Sequence, residues 1–127
     1  MCLICTGEYD NITEIKCCPQ VQEIPHINGL EYLDCSKNWQ LREIPNIDGL
    51  IYLNCYKSQH IKKIPNIVGL KYLNYSKNWH IREIPNIIGL KILICSNMRL
   101  QEIYNIIGLK ELNCSHTYVL IIPHIIG

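Results

Sequence analysis

Residues 30–49 read LEYLDCSKNWQLREIPNIDG, and this 20-residue pattern returns along most of the chain. The repeat is easiest to follow from its glycines, which are separated by 20, 20, 20, 19 and 19 residues. Leu follows each of these glycines except the last. A fixed period of about 20 residues is typical of solenoids and other repeat folds. The glycines are Gly29, Gly49, Gly69, Gly89, Gly108 and Gly127.

Each repeat predicts one short strand and a return path without a regular helix. Leu33 and Cys35 are two residues apart, so on a strand their side chains point to one face and those of their neighbours to the other. Further along the repeat, apolar residues recur every three positions beside Pro45, which cannot donate a backbone hydrogen bond. The return path is therefore expected to be extended or 3₁₀. One coil cannot bury its apolar side chains alone, so the coils must stack.

The repeat resembles that of the leucine-rich repeat family, whose pattern is L-x-x-L-x-L-x-x-N-x-L. Residues 30–49 match it at Leu30, Leu33 and Asn38, with Cys35 in place of the third Leu. The chain departs from the pattern by one inserted residue before the next apolar position, and by three replacements of the Asn. The family's buried asparagine ladder is therefore expected to be discontinuous. The pattern recurs at Leu70, Leu73, Tyr75 and Asn78, and the replacements are Ser58, Met98 and Thr117.

This resemblance implies a curved, right-handed leucine-rich-repeat solenoid with a parallel β-sheet on its concave side and extended or 3₁₀ segments on its convex side. It also implies a protein-binding module rather than an enzyme. With 24 Ile, 12 Asn and no Ala, the repeats are similar to the short repeats of large DNA viruses and protists.

The whole chain, 1–127, is expected to form one domain. Its predicted parts are an N-terminal cap (1–11), a shortened first repeat (12–29) and repeats at 30–49, 50–69, 70–89, 90–108 and 109–127. Within the cap, Leu3-Ile4-Cys5 is interpreted as a strand, with a hairpin turning near Gly7. The last coil, ending at Ile121, Ile122, Ile125 and Ile126, is expected to be uncapped and so able to pair with a second copy.

The composition excludes several classes of protein. Hydrophobic residues make up 48% of the chain and charged residues 18%, which predicts a packed core rather than disorder. The net charge of +1 gives no general argument for binding nucleic acid or membranes. No targeting signal is recognised, and no apolar run reaches the roughly 18 to 20 residues of a membrane span. The protein is therefore expected to be intracellular and cytoplasmic, in the host cell if it is viral, with no membrane association.

Outward-facing strand positions form the candidate binding face. A column of Tyr with a column of Asn beside it, and Lys just after each strand, is suited to a protein partner with acidic segments. Single-stranded nucleic acid is a weaker alternative. Two Trp just past the strands are interpreted either as edge anchors for the partner or as lids over the core. The residues are Tyr32, Tyr52, Tyr72, Asn54, Asn74, Lys37, Lys57, Lys77, Trp39 and Trp79.

The eight Cys are expected to be free thiols rather than disulfides, because no secretory signal is recognised. Most occupy the inward strand position and are predicted to be buried in the core: Cys17, Cys35, Cys55, Cys95 and Cys114. Cys2 and Cys5, with the adjacent Cys17 and Cys18, have enough thiols for zinc. Adjacent residues point to opposite sides of a strand, however, so a capping role is preferred and no metal or cofactor is predicted. Cys18 is expected to be outward and reactive.

Overall fold

The computed structural model describes residues 2–103 and 106–121. Within these residues, helix is limited to a single turn, which is far too short to cross a membrane. The elements in chain order are α1 (Leu3–Thr6), β1 (Glu14–Lys16), β2 (Tyr32–Asp34), β3 (Tyr52–Asn54), β4 (Tyr72–Asn74), β5 (Glu83–Ile84), β6 (Ile92–Ile94), β7 (Arg99–Ile103), β8 (Glu111–Asn113) and β9 (Tyr118–Ile121).

Six of the strands form one parallel sheet in the order β1-β2-β3-β4-β6-β8. Corresponding residues of neighbouring repeats face each other, so that Leu33 pairs with Leu53 and Leu53 with Leu73. The chain is therefore a solenoid of parallel strands, and the predicted strand in each repeat is confirmed.

The return paths are less regular. In the later coils, β5, β7 and β9 form a second parallel sheet of three strands, so the extended alternative is correct there. Strand β5 ends at Ile84, directly before Pro85, which has no amide hydrogen for a ladder. The described parts of the other return paths have no regular structure, and 3₁₀ helix does not occur among the described residues.

The space between the sheet and the return paths is filled by the inward side chains. Cys35, Cys55, Tyr75 and Cys95 form one fully buried column, and all eight cysteines are free. Burial raises the pKa of the Cys95 thiol to about 12. The prediction of a buried thiol is wrong for Cys114, which is half-buried because its strand, β8, is last in the sheet order.

A ladder of buried polar side chains runs beside this column. At the Asn position of successive repeats, the side chain donates a hydrogen bond to a backbone carbonyl of the preceding coil. Ser and Thr do this as well as Asn, so the expected break in the ladder is wrong at Ser58 and Thr117. Met98 has no polar group to continue it. The bonds are Asn38 Nδ2 to Cys18 O (3.1 Å), Ser58 Oγ to Cys35 O (2.5 Å), Asn78 Nδ2 to Cys55 O (2.7 Å) and Thr117 Oγ1 to Cys95 O (2.6 Å).

The N-terminal cap is a helix, and the predicted strand at Leu3-Ile4-Cys5 is wrong. The chain does reverse at Gly7, but it does so as a helix end: Gly7 has φ 76°, and the amides of Gly7 and Glu8 donate to the carbonyls of Ile4 and Leu3. Glycine adopts this left-handed conformation at little cost. The single turn brings Cys2 and Ile4 against the core.

Two substitutions test the buried polar groups. The Ser58 hydroxyl donates to Cys35 O and accepts from the Asn38 amide, so Ser58→Ala leaves two buried groups without partners. It should lower the free energy of unfolding by about 2 to 4 kcal/mol.

The Tyr75 hydroxyl is buried without a hydrogen-bond partner, so Tyr75→Phe should raise the free energy of unfolding by about 1 kcal/mol. Urea unfolding measures the free energy of unfolding of both variants. A loss of stability in Tyr75→Phe would contradict the interpretation of its hydroxyl as buried and unpaired.

Candidate functional site

Three tyrosines stack on the outer face of the six-stranded sheet. The rings of Tyr32 and Tyr52 are parallel to within 6° with centroids 4.0 Å apart, and those of Tyr52 and Tyr72 are parallel to within 6° with centroids 4.3 Å apart. The stack follows from the register, because each Tyr is the first residue of its strand and pairs with the next Tyr. All three are half-buried. The column continues with Ile92 and Glu111.

The central tyrosine of the stack, Tyr52, has a raised pKa. Burial, and then the neighbouring hydroxyl of Tyr32, raise the pKa of Tyr52 well above its usual range. A phenol with a raised pKa stays protonated through mildly alkaline pH. At the middle of the stack, Tyr52 therefore presents a neutral hydroxyl to a partner.

The Asn column beside the stack has a structural task. Asn54 Oδ1 accepts the amide of Tyr56, and Asn74 Oδ1 accepts the amide of Ser76, both at 3.0 Å. Such Asx turns fix the chain direction after a strand. The side-chain oxygens of Asn54 and Asn74 are therefore engaged in the turn. The sequence could have indicated this, because an Asp or Asn stands two residues before the residue whose amide it accepts. The Nδ2 groups of Asn54 and Asn74 are what these residues offer to a partner.

The Lys that follow each strand occupy an unfavourable backbone conformation. Lys37, Lys57 and Lys77 have φ of 57°, 60° and 60°, in the left-handed region that favours Gly and Asn. Asn97 and His116 take the same place in later coils. Lysines in three successive coils thus hold a strained backbone conformation, and such strain is often found at functional sites.

The two Trp follow Lys37 and Lys77 by two residues, beyond the carboxyl ends of β2 and β4. Trp39 is 49% exposed and Trp79 57% exposed, which favours the edge interpretation over a lid on the core. Trp79 lines a groove of about 410 Å³ together with Lys57, Lys77 and Arg99. Acidic residues do not occur among the described residues that line this groove. The structure thus brings Lys57, Lys77 and Trp79 together in one groove. In the sequence, each of them follows the Tyr of its own repeat by five or more residues.

An exposed apolar ridge escaped the sequence analysis. Val68, Ile88 and Ile107 are 81%, 83% and 81% exposed, and each precedes a repeat glycine. The earlier repeats have Asn28 and Asp48 at this place. The ridge is therefore confined to the later coils. Comparing the residue before each Gly would have revealed it.

The structure brings together three of the four N-terminal thiols that the sequence analysis considered for zinc and set aside: Cys2, Cys5 and Cys18. Cys17 points into the core, as predicted, and Cys18 points away, where its Sγ lies 3.3 Å from Cys5 Sγ. Cys2 Sγ lies 3.8 Å from Cys5 Sγ. The backbone of Cys2, then the Cys5 thiol and the backbone of Gln20, lower the pKa of Cys18 to about 6, whereas Cys18 raises the pKa of Cys5 to about 11. A thiol with a lowered pKa is the reactive kind, in line with the expectation for Cys18.

Comparison of the chain with family models, with curated proteins and with solved structures gave no match. The interpretation of the candidate site therefore depends on its own geometry.

Replacing one of the strained lysines tests whether their place in the fold is costly. Lys57→Gly should raise the free energy of unfolding by about 0.5 to 1 kcal/mol, because Gly adopts φ near 60° without the clash that Lys suffers. Lys71→Gly is the matched control, since Lys71 is not among the residues with positive φ, and it should be destabilising. Equal losses of stability in the two variants, measured by urea unfolding, would contradict the strain.

Proposed function

We propose that this chain is a non-catalytic, leucine-rich-repeat type of interaction module that binds an acidic protein partner on the outer face of its six-stranded sheet. In this proposal the solenoid curves so that the sheet lies on its concave side. The observation that carries the proposal is the half-buried stack of Tyr32, Tyr52 and Tyr72, with ring centroids 4.0 and 4.3 Å apart, followed on the same coils by a column of lysines.

The tyrosines supply the affinity. Aromatic side chains bury a large area at little cost in conformational entropy, and they dominate the energetics of many interfaces. Here each ring is already held by its neighbours, with Tyr52 packed on both faces. A partner that binds these rings therefore does not have to order them.

The lysines supply the preference for an acidic partner. Lys37, Lys57 and Lys77 stand in successive coils at the same edge, and the groove beside Trp79 adds Arg99. Charges at the rim of an interface mainly accelerate association and reject partners of like charge. The strained backbone of the lysines also supports a role in binding, since the fold itself would be better served by Gly or Asn.

The ladder of Asn38, Ser58, Asn78 and Thr117 supports the leucine-rich-repeat assignment. Each side chain stands at the Asn position of the family pattern and bonds a carbonyl of the coil before it. That is the place of the family's asparagine ladder.

The two rival functions gain less support. Binding of single-stranded nucleic acid relies on free aromatic faces on which bases stack, but the faces of Tyr52 are covered by Tyr32 and Tyr72. Self-assembly through the C-terminal coil is predicted from Ile121, Ile122, Ile125 and Ile126 and from the sheet edge around Leu112 to Cys114. The strand β8 is last in the sheet order, but Ile122, Ile125 and Ile126 lie outside the described part of the chain.

Photo-crosslinking from the face identifies the partner. A benzophenone side chain at position 92, which follows Tyr72 in the same column, should capture a protein from a lysate, and the same group at position 43, on the exposed return path, should not capture it. Equal capture from both positions would contradict a site on the sheet.

Variants of the face then test which residues bind the captured partner. Tyr52→Ala should weaken the affinity by about 10- to 30-fold, because it removes an anchor and both of its stacking contacts. Lys57→Ala should lower chiefly the association rate and its salt dependence. Lys62→Ala, an exposed Lys of the return path, is the control and should change neither. An unchanged affinity after replacing Tyr32, Tyr52 and Tyr72 together would move the site to the edge at Trp39 and Trp79.

A further inference from the structure

Three thiols meet where the N-terminal cap joins the first coil. The Sγ atoms of Cys2, Cys5 and Cys18 all lie within 4.8 Å of one another. Cys17, the neighbour of Cys18 in the chain, takes no part, since it is buried and its amide donates to Asp34 O at 2.7 Å. We propose that Cys2, Cys5 and Cys18 bind one zinc ion through three thiolates.

The distances suit a zinc site. Zinc binds thiolate sulfur at about 2.3 Å, and two sulfurs of a tetrahedral site are therefore about 3.8 Å apart. The Cys2 and Cys5 sulfurs are 3.8 Å apart and those of Cys5 and Cys18 are 3.3 Å apart, so small side-chain rotations complete the geometry. Soft thiolate ligands select zinc over hard cations such as Mg²⁺ or Ca²⁺.

The fourth position of the tetrahedron belongs to water or to an added ligand. Among the described His, Cys, Asp and Glu residues, the cluster has three members. Cys5 is exposed and the other two are half-buried, so one side of the cluster is open to solvent. Three protein ligands with an open fourth position are the arrangement of catalytic zinc sites, whereas structural zinc sites almost always have four protein ligands.

Sequence reasoning rejected this site because it required two pairs of cysteines. The fold removes that requirement. A single helical turn places Cys2 and Cys5 three residues apart on one side of α1, and the end of β1 sends Cys17 inward and Cys18 outward. One thiol from the second pair is then enough.

The site explains how so short a cap can be held. A helix of four residues gains little from its own hydrogen bonds, and among the described residues from 2 to 6, Cys2 and Ile4 pack against the core. Zinc bound by Cys2, Cys5 and Cys18 would tie both ends of this turn to the first coil, beside the edge strand β1. This role is independent of the proposed binding face.

Cobalt replaces zinc as the spectroscopic probe in the test. The reduced, metal-free full chain should bind one Co²⁺ with the thiolate-to-cobalt absorption and the intense visible bands of a tetrahedral site, and Zn²⁺ should displace it. Cys2→Ser, Cys5→Ser and Cys18→Ser should each weaken zinc binding, measured against a chelator, by about 100-fold or more.

Cys114→Ser is the matched control, because Cys114 is also a half-buried free thiol but lies at the other end of the sheet. It should bind Co²⁺ like the wild type, and far-UV circular dichroism checks that every variant remains folded. The proposal is overturned if the folded wild type fails to bind Co²⁺, if Cys18→Ser binds as tightly as Cys114→Ser, or if the freshly purified chain instead contains a disulfide within the cluster and no metal.

Discussion

An inward side chain of this solenoid lies beside the matching side chains of the coils before and after it. Leu53 pairs with Leu33 on one side and with Leu73 on the other, and all three are fully buried. The polar ladder obeys the same constraint, since each of its side chains bonds a carbonyl of the preceding coil. Stability is therefore a property of the stack, and a coil contributes only as far as its neighbours are in place.

The register that stacks the core also stacks the surface. Because the same residue recurs about every 20 positions, a Tyr on the outer face of the sheet pairs with a Tyr, and a Lys takes the same backbone conformation after β2, β3 and β4. This repetition stabilises the core, whereas the positive φ of the lysines destabilises the fold. A binding function would account for that loss of stability. At the N-terminus the repetition ends, and there the chain uses another device: a helical turn that brings Cys2 and Cys5 to Cys18.

Sequence reasoning succeeded where a side chain's surroundings repeat with the pattern. The strands, the inward column and the pairing of the tyrosines all follow from period and register. It failed where the decisive contact joins different parts of the pattern. The turn ended by Gly7, the thiol pair of Cys5 and Cys18, and the bond from Ser58 to Cys35 O depend on backbone conformation or on contacts between unlike positions. The half-buried state of Cys114 depends on its place at the end of the sheet.

Thiol labelling followed by mass spectrometry tests most directly whether the stack holds the molecule together. Cys35, Cys55 and Cys95 lie in the fully buried column, so they should label only as the chain unfolds, all three over the same range of urea concentration. Cys18, outside the core with a pKa lowered to about 6, should label at once in the metal-free native protein. Rapid labelling of all three column thiols without denaturant would contradict the stacked core.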